Sequence, residues 1–184
     1  MAAARSGCDL VHVAMPSKAA SRCEWPNSII PEELPDGDLL TMSSTASIGA
    51  FTQSGRRPDS IVIGPGLGRD ERTIEAVKAI LGMATEQGIP IVVDADALGA
   101  LPRGKWPRGM TGVATPHEAE ASRWLGEADP SEALSECLEE DSTIVITGPE
   151  DRLTGPGGRS ASARGGHPRI CLLYTSDAAD EPLS

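Results

Sequence analysis

Ile61-Val62-Ile63-Gly64-Pro65-Gly66-Leu67-Gly68-Arg69-Asp70-Glu71 is the stretch that decides the fold. A short β-branched run ends in three glycines, and two acidic residues then open an amphipathic segment. Ser60–Ile63 reads as a buried strand and Gly64–Gly68 as a tight loop. Asp70 and Glu71 begin a helix that runs to about Gln87 and stops at Gly88. Ile74, Val77, Ala79, Ile80, Leu81 and Ala84 give that helix a broad apolar stripe. The next apolar run, Ile89–Val93, returns to strand pattern. Strand, loop, helix and strand at this spacing make a parallel pair with a crossover helix.

Working outward, the same alternation continues. Gly112–Ala114 reads as a third strand, followed by Thr115-Pro116-His117-Glu118 and a helix to about Leu125, with Pro116 at its first position and His117 in its first turn. Ser131–Glu140 reads as a helix capped by Ser131 or Asp129, and Thr143–Thr147 as another strand ending in Gly148-Pro149-Glu150-Asp151. Residues 151–165 suggest a hairpin: Asp151–Leu153, a turn at Gly155–Gly158, then Ser160–Ala163. Upstream, Met1–Gly7 reads as a helix end with Gly7 as its cap, and Asp9–Ala14 as a strand. Residues 15–38 read as irregular, Leu39–Met42 as a short edge strand and Thr45–Gln53 as a weak helix. The expected class is α/β, a mostly parallel sheet with helices on both faces.

Composition bounds the function. A chain of 184 residues makes about one domain. The net charge of −11, with 27 acidic residues against 16 basic, disfavours nucleic acid and anionic membrane as partners. No apolar run approaches the ~18 residues of a membrane span, and no signal-peptide pattern opens the chain. Cys8, Cys23, Cys137 and Cys171 are scattered without metal-binding spacing, which fits thiols in a cytoplasmic protein. His12 and the tryptophans Trp25, Trp106 and Trp124 read as packing residues.

Ligands of such sheets bind beyond the carboxyl ends of the strands, and four loops fall there. Gly64, Gly66 and Gly68 can bring backbone N–H groups to an anion at the start of the following helix, or form a plain turn. Asp94 and Asp96 can hold a metal, bind ribose hydroxyls or cap the next turn. His117 can bind a substrate or move a proton, or be structural. Thr147, Gly148 and Asp151 can approach a nucleotide, or only turn the chain.

Together, Ile61-Val62-Ile63-Gly64-Pro65-Gly66-Leu67-Gly68, Val92-Val93-Asp94-Ala95-Asp96-Ala97-Leu98 and Ala114-Thr115-Pro116-His117-Glu118-Ala119-Glu120 with Trp124-Leu125-Gly126 resemble the ADP/ATP-dependent NAD(P)H-hydrate dehydratases in order and spacing. The resemblance covers about residues 1–169 and implies a ribokinase-like fold. It implies repair of hydrated NADH and NADPH: ADP or ATP, with Mg²⁺, phosphorylates the ring hydroxyl, and phosphate then leaves. It implies substrate contacts at Gly64, Gly66, Gly68 and His117. It places Asp94 and Asp96 near the phosphates and the metal ion, with no metal ligand identified, and nucleotide contacts at Thr147, Gly148, Asp151 and Gly166. It also implies a homo-oligomer and, as in many microbial members, an upstream epimerase domain.

The sequence departs from the family pattern in three places. Thr147-Gly148 stands where many members have Lys-Gly. Gly166-His167-Pro168 stands for Gly-Asn-Pro. The family then continues into a Gly-Thr-Gly-Asp motif, whose amides hold the transferred phosphoryl group and whose Asp is the catalytic base. That motif is missing after Arg169 and occurs nowhere else in the chain. Residues 170–184, from Ile170-Cys171-Leu172-Leu173 onward, instead resemble translated sequencing-adapter read-through. The expectation is therefore a partial dehydratase domain over residues 1–169, cut at both ends, with a non-native tail at 170–184. The chain as written is expected to be poorly soluble and inactive, with no catalytic residue to name. Two alternatives stand beside it: a thiazole or hydroxymethylpyrimidine kinase of the same fold, and a non-catalytic nucleotide binder.

Overall fold

The structure, a computed structural model, describes residues 6–53, 57–137 and 141–164. Two sheets form. β1 (His12–Pro16) and β2 (Ile30–Leu34) are a parallel pair connected through α1 (Ser17–Ala20). After α2 (Met42–Gln53), a six-stranded sheet runs in simple chain order: β3 (Ile61–Ile63), β4 (Ile91–Val93), β5 (Gly112–Ala114), β6 (Ser142–Ile146), β7 (Asp151–Thr154) and β8 (Ser160–Ala163). β3 to β6 are parallel, and β7 and β8 close the sheet as an antiparallel hairpin. α3 (Glu71–Glu86) crosses from β3 to β4, a 3₁₀ turn (Ala95–Ala100) follows β4, and α4 (Glu118–Leu125) and α5 (Pro130–Ala133) lie between β5 and β6.

The central crossover forms as the sequence dictates. Asp70 caps α3 by accepting from the Arg72 amide, and Gly88 takes φ +60° just beyond its end. The buried face of α3 is Thr73, Ala76, Val77, Ile80, Leu81 and Ala84. It joins one apolar cluster with Ile63, Ile91, Val93, Ala114, Ile144 and Ile146 from alternate positions of the strands. Burying Val77, Ile80 and Leu81 contributes roughly 5–9 kcal/mol before chain entropy is subtracted. Right-handed crossovers between strands in sequential order put their helices on one face of the sheet. The opposite positions are less covered among the described residues, and Val62 is 70% exposed.

Several local expectations are corrected. Residues 15–38 are not irregular throughout: Ile30–Leu34 is a strand, with Pro31 tolerated because, among the described residues, β2 pairs only with β1. Glu32 reaches across the pair to His12 Nδ1 at 2.9 Å, and the His12 ring packs against Phe51. Leu39–Met42 is not a strand. The Asp36 carboxylate accepts from the Thr41 amide and from the hydroxyls of Thr41, Ser43 and Ser44, which winds this segment into the start of α2. These hydroxyls, Ser43 first, hold the Asp36 carboxyl down at about 2. Of the helix expected over Ser131–Glu140, the described residues form only Pro130–Ala133, capped by Asp129, before the chain turns to bury Leu134 and Cys137; residues 138–140 lie outside the described residues. The helix read at Met1–Gly7 lies mostly outside the described residues. Arg169, the boundary expected between the family-like chain and its tail, lies wholly outside them, as does the tail at 170–184.

Candidate functional site

Because β3, β4, β5 and β6 are parallel neighbours, the loops after Ile63, Val93, Ala114 and Ile146 lie side by side on one edge of the sheet. All the candidate residues except Gly166 reach that edge. Gly166 lies outside the described residues, as does Arg169, after which the family's catalytic motif is missing from the sequence. The three glycines of the first loop divide by geometry. Gly64 has φ +143°, and a Cβ there would meet the Asp94 carbonyl oxygen at 1.8 Å. It is a packing glycine that lets β3 and β4 end in close contact. Gly66 and Gly68 both have φ +74° with open space around them, so they are the glycines that present backbone to the rim.

The Asp94–Asp96 turn is tied to this loop rather than standing apart. The Asp94 amide donates to Ile63 O at 3.0 Å. Ala95 has φ +47°, the left-handed conformation that a residue with a Cβ adopts only at an energetic cost of about 1–2 kcal/mol. Asp96 then reaches across to accept from the Gly68 amide at 2.9 Å, while its other oxygen faces Arg69 Nε at 3.4 Å. Arg69 went unnoticed in the sequence, because nothing local marks a contact to a residue 27 positions away. Just beyond, the Arg72 guanidinium and amide hold the Asp70 carboxyl down at about 2.

His117 is not in the first turn of α4, as the sequence suggested, but is its N-cap, and Pro116 precedes the helix and is fully buried. His117 Nδ1 accepts from the Glu120 amide at 3.2 Å, and Glu120 Oε2 accepts from the His117 amide at 3.0 Å. This is a reciprocal capping box with an imidazole in the hydroxyl's usual place. With Nδ1 accepting, the neutral ring carries its proton on Nε2, a tautomer assigned from these partners. Glu120 Oε1 lies 3.7 Å from Nε2, and the His117 side chain is 53% exposed. The spacing of Glu120 three residues after His117 was the sequence signal for this box.

Thr147 extends the row. His117 and Thr147 form an isolated parallel bridge, and the Thr147 amide donates to Pro116 O at 2.9 Å. The Gly148 amide donates to Asp151 Oδ1 at 3.0 Å, so this loop is closed by its own carboxylate. Arg152 is held by both carboxylate oxygens of Glu118. Among the described residues no group of three or more His, Cys, Asp or Glu side chains is arranged to hold a metal ion. Asp96 has both oxygens engaged. The Asp94 side chain makes no capping hydrogen bond to the turn that follows it. No helix of the described residues is long and apolar enough to cross a membrane.

A family profile described as NAD(P)H-hydrate dehydratase matches residues 1–168. An ATP-dependent (S)-NAD(P)H-hydrate dehydratase of Emericella nidulans is 38% identical over 104 residues, 53% of this chain and 28% of that protein. An ADP-dependent (S)-NAD(P)H-hydrate dehydratase of Cenarchaeum symbiosum is 31% identical over 96% of this chain and 62% of its own length. A bifunctional NAD(P)H-hydrate repair enzyme of Salinibacter ruber is 30% identical over 96% of this chain and 34% of its own. The chain thus spans between about a quarter and two thirds of these relatives' lengths. Among solved structures, the ADP/ATP-dependent NAD(P)H-hydrate dehydratase from Bacillus subtilis co-crystallised with ATP/Mg²⁺ superposes with a TM-score of 0.52. It is 22% identical, over 78% of this chain and 49% of that one. A hydroxyethylthiazole kinase from Pyrococcus horikoshii superposes at 0.50 with 18% identity, over 79% of this chain and 55% of that one. These two likenesses show the fold, a mostly parallel α/β sheet of ribokinase-like type.

Proposed function

The chain belongs to the NAD(P)H-hydrate dehydratase family, and from that premise we propose that its strand-end rim binds hydrated NADH or NADPH for nucleotide-dependent dehydration. In that reaction ADP or ATP transfers its terminal phosphoryl group to the ring hydroxyl. The C–O bond then breaks, phosphate departs with the electron pair, and a proton leaves the neighbouring carbon to restore the ring double bond. The observation that carries the reading is the row formed by the Gly66–Gly68 backbone, His117 and Thr147 on adjacent strand ends.

In this reading His117 Nε2–H donates to an oxygen of the hydrate, because its other nitrogen is spent on the helix cap. Gly66 and Gly68 let the ring end approach the backbone, and Gly64 sets the loop's position. Thr147, Gly148 and Asp151 would face the nucleotide. The groups for phosphoryl transfer are those of the Gly-x-Gly-Asp motif, which the 184-residue sequence does not contain after Arg169 or elsewhere. Losing even one oxyanion-type donor lowers turnover about 10²–10³-fold, so the chain as given is a binder with turnover at background. An epimerase domain on the same polypeptide and assembly into a homo-oligomer belong to the same proposal. The bifunctional name of the Salinibacter ruber relative supports the first.

Two measurements test the function. Calorimetric titration of the chain with NADH and with ADP is expected to show binding of each. Resequencing the source gene across the codons for Gly166 to Ser184, then assaying the encoded protein with hydrated NADH and ADP, is expected to regain the dihydronicotinamide absorbance with release of phosphate. A stable phosphorylated thiazole alcohol in place of hydrate turnover overturns the proposal in favour of a kinase. Hydrate-dependent phosphate release by the 184-residue chain itself overturns the role given to the motif.

A further inference from the structure

Three independent features meet at the end of β4. Asp94 is packed so tightly on Gly64 that no side chain fits between them. Ala95 adopts a left-handed backbone without being glycine. Asp96, only partly exposed, places one oxygen on the Gly68 amide and the other toward Arg69. A left-handed alanine persists only where surrounding contacts over-determine it, and such residues gather at ligand clamps. Here the contact that the turn makes possible is the one from Asp96 to Gly68, 28 residues away on the neighbouring strand end.

We infer that Asp96 is a positioning residue that latches the Gly64–Gly68 loop in its ligand-binding shape. The inference rests on the reading of this rim as the hydrate site and gives Asp96 a role other than holding phosphate or metal. The carboxylate takes the place that an anionic ligand would take on the Gly68 amide. The Gly68 amide is thus already occupied and the carboxylate's charge is paired with Arg69, so this loop end suits the uncharged ring and amide of a nicotinamide rather than a phosphate. Gly66 beside it stays open for that ligand. An Asn at position 96 keeps an oxygen acceptor for the Gly68 amide, whereas an Ala keeps none.

The test uses the full 184-residue chain and its variants D96A and D96N. The Gly68 amide is followed by hydrogen exchange, and NADH and ADP are titrated separately. The expected result is a protected Gly68 amide in wild type and D96N and a rapidly exchanging one in D96A. D96A should lose about tenfold in NADH affinity, the scale of one charged hydrogen bond, with ADP affinity unchanged within about twofold. Equal Gly68 exchange in wild type and D96A overturns the latch and leaves the functional reading intact. Equal losses for NADH and ADP, or none for either, overturn the positioning role by showing a merely structural contact. A wild-type chain that binds ADP but no NADH overturns the functional reading, and the inference with it.

Discussion

The three glycines of Gly64-Pro65-Gly66-Leu67-Gly68 look equivalent in sequence, yet replacing each by alanine should give very different proteins. At Gly64 the new Cβ would lie 1.8 Å from Asp94 O and 2.6 Å from Asp94 C, and real Cβ atoms essentially never come closer than 3.0 Å. The carbonyl must retreat by more than about 1 Å, and it is backbone, so no rotamer relieves it. That carbonyl accepts from the Ala97 amide, and the Asp94 amide donates to Ile63 O. Displacing the turn strains both bonds. Each is worth about 1 kcal/mol net, and about 1–3 kcal/mol if a buried partner is left unpaired. The left-handed φ adds about 1–2 kcal/mol. The smaller unfolded-state entropy of alanine returns about 0.4–1 kcal/mol. The total for G64A is a loss of about 3–5 kcal/mol. G66A meets nothing within 4 Å. Only the φ cost and the entropy return remain, about 0–1.6 kcal/mol net. Thermal unfolding followed by the fluorescence of the buried Trp106 and Trp124 measures both. For a domain of this size the melting midpoint of G64A should fall by about 6–20 °C, and that of G66A by about a third as much, at most about 6 °C. Equal stability of the two variants would refute the assignment of Gly64 to packing and of Gly66 to the open rim.

Three further outcomes follow from the same geometry. Ala95→Val puts a β-branched side chain at φ +47° and should destabilise by about 2 kcal/mol, whereas Ala95→Gly should change stability by less than about 1 kcal/mol, both read from urea midpoints. The Asp36 carboxyl is lowered from 3.8 to about 2 by its hydroxyl partners. The stability it contributes is therefore complete above 3.8 and is lost as the pH falls through about 2. D36N should be less stable at neutral pH and flatter than wild type across that window, which acid titration of the helical circular dichroism checks. His117→Asp restores an acceptor for the Glu120 amide but removes the Nε2–H donor. It should keep the wild-type midpoint while losing NADH binding, whereas His117→Ala should lose the binding and about 1 kcal/mol of cap as well.

What could be read from the sequence was what local pattern determines. The β3–α3–β4 unit was legible because Ile61–Ile63, the Asp70 cap and the stripe from Ile74 to Ala84 each state their structure within a few residues. The convergence of four loops was legible too, since parallel strands bring their carboxyl ends together whatever their order. β2 was not, because Pro31 and two glutamates hide a strand that is stabilised by its neighbour. The start of α2 was missed because its organiser, Asp36, lies outside the helix it winds. The Asp96–Gly68 contact was illegible for a stronger reason: it exists only because β3 and β4 are adjacent, which a residue pattern implies but does not address to particular atoms. The residues alone left Asp96 open between metal, ribose and a cap, and the family resemblance put it near the phosphates; the backbone amide that it accepts from, Gly68 N–H, is a partner that no local pattern names.

The amides of this rim share that fate, and this predicts the effect of the lysine that many family members carry where this chain has Thr147. Gly68 N–H is taken by Asp96, Gly148 N–H by Asp151, and the Glu120 and His117 amides by each other's side chains. Arg152 is neutralised by Glu118, and Arg69 leans on Asp96. Among the described residues, a nucleotide phosphate approaching this edge meets amides already engaged by carboxylates and an imidazole. Thr147 is half-buried and its side chain makes a long contact from its hydroxyl to Pro116 O at 3.5 Å, while its amide bond to the same oxygen survives a substitution, so replacing the side chain disturbs little of the fold. Thr147→Lys should therefore tighten ADP binding about threefold to tenfold at low ionic strength. The gain should shrink toward nothing near 1 M salt, where the screening length falls to about 3 Å. NADH affinity, set in this reading by the latched loop and His117, should change much less. Titration of both ligands at two salt concentrations decides it. An unchanged ADP affinity, or a gain that salt does not erase, would mean that the missing charge at position 147 is not what limits nucleotide binding at this edge.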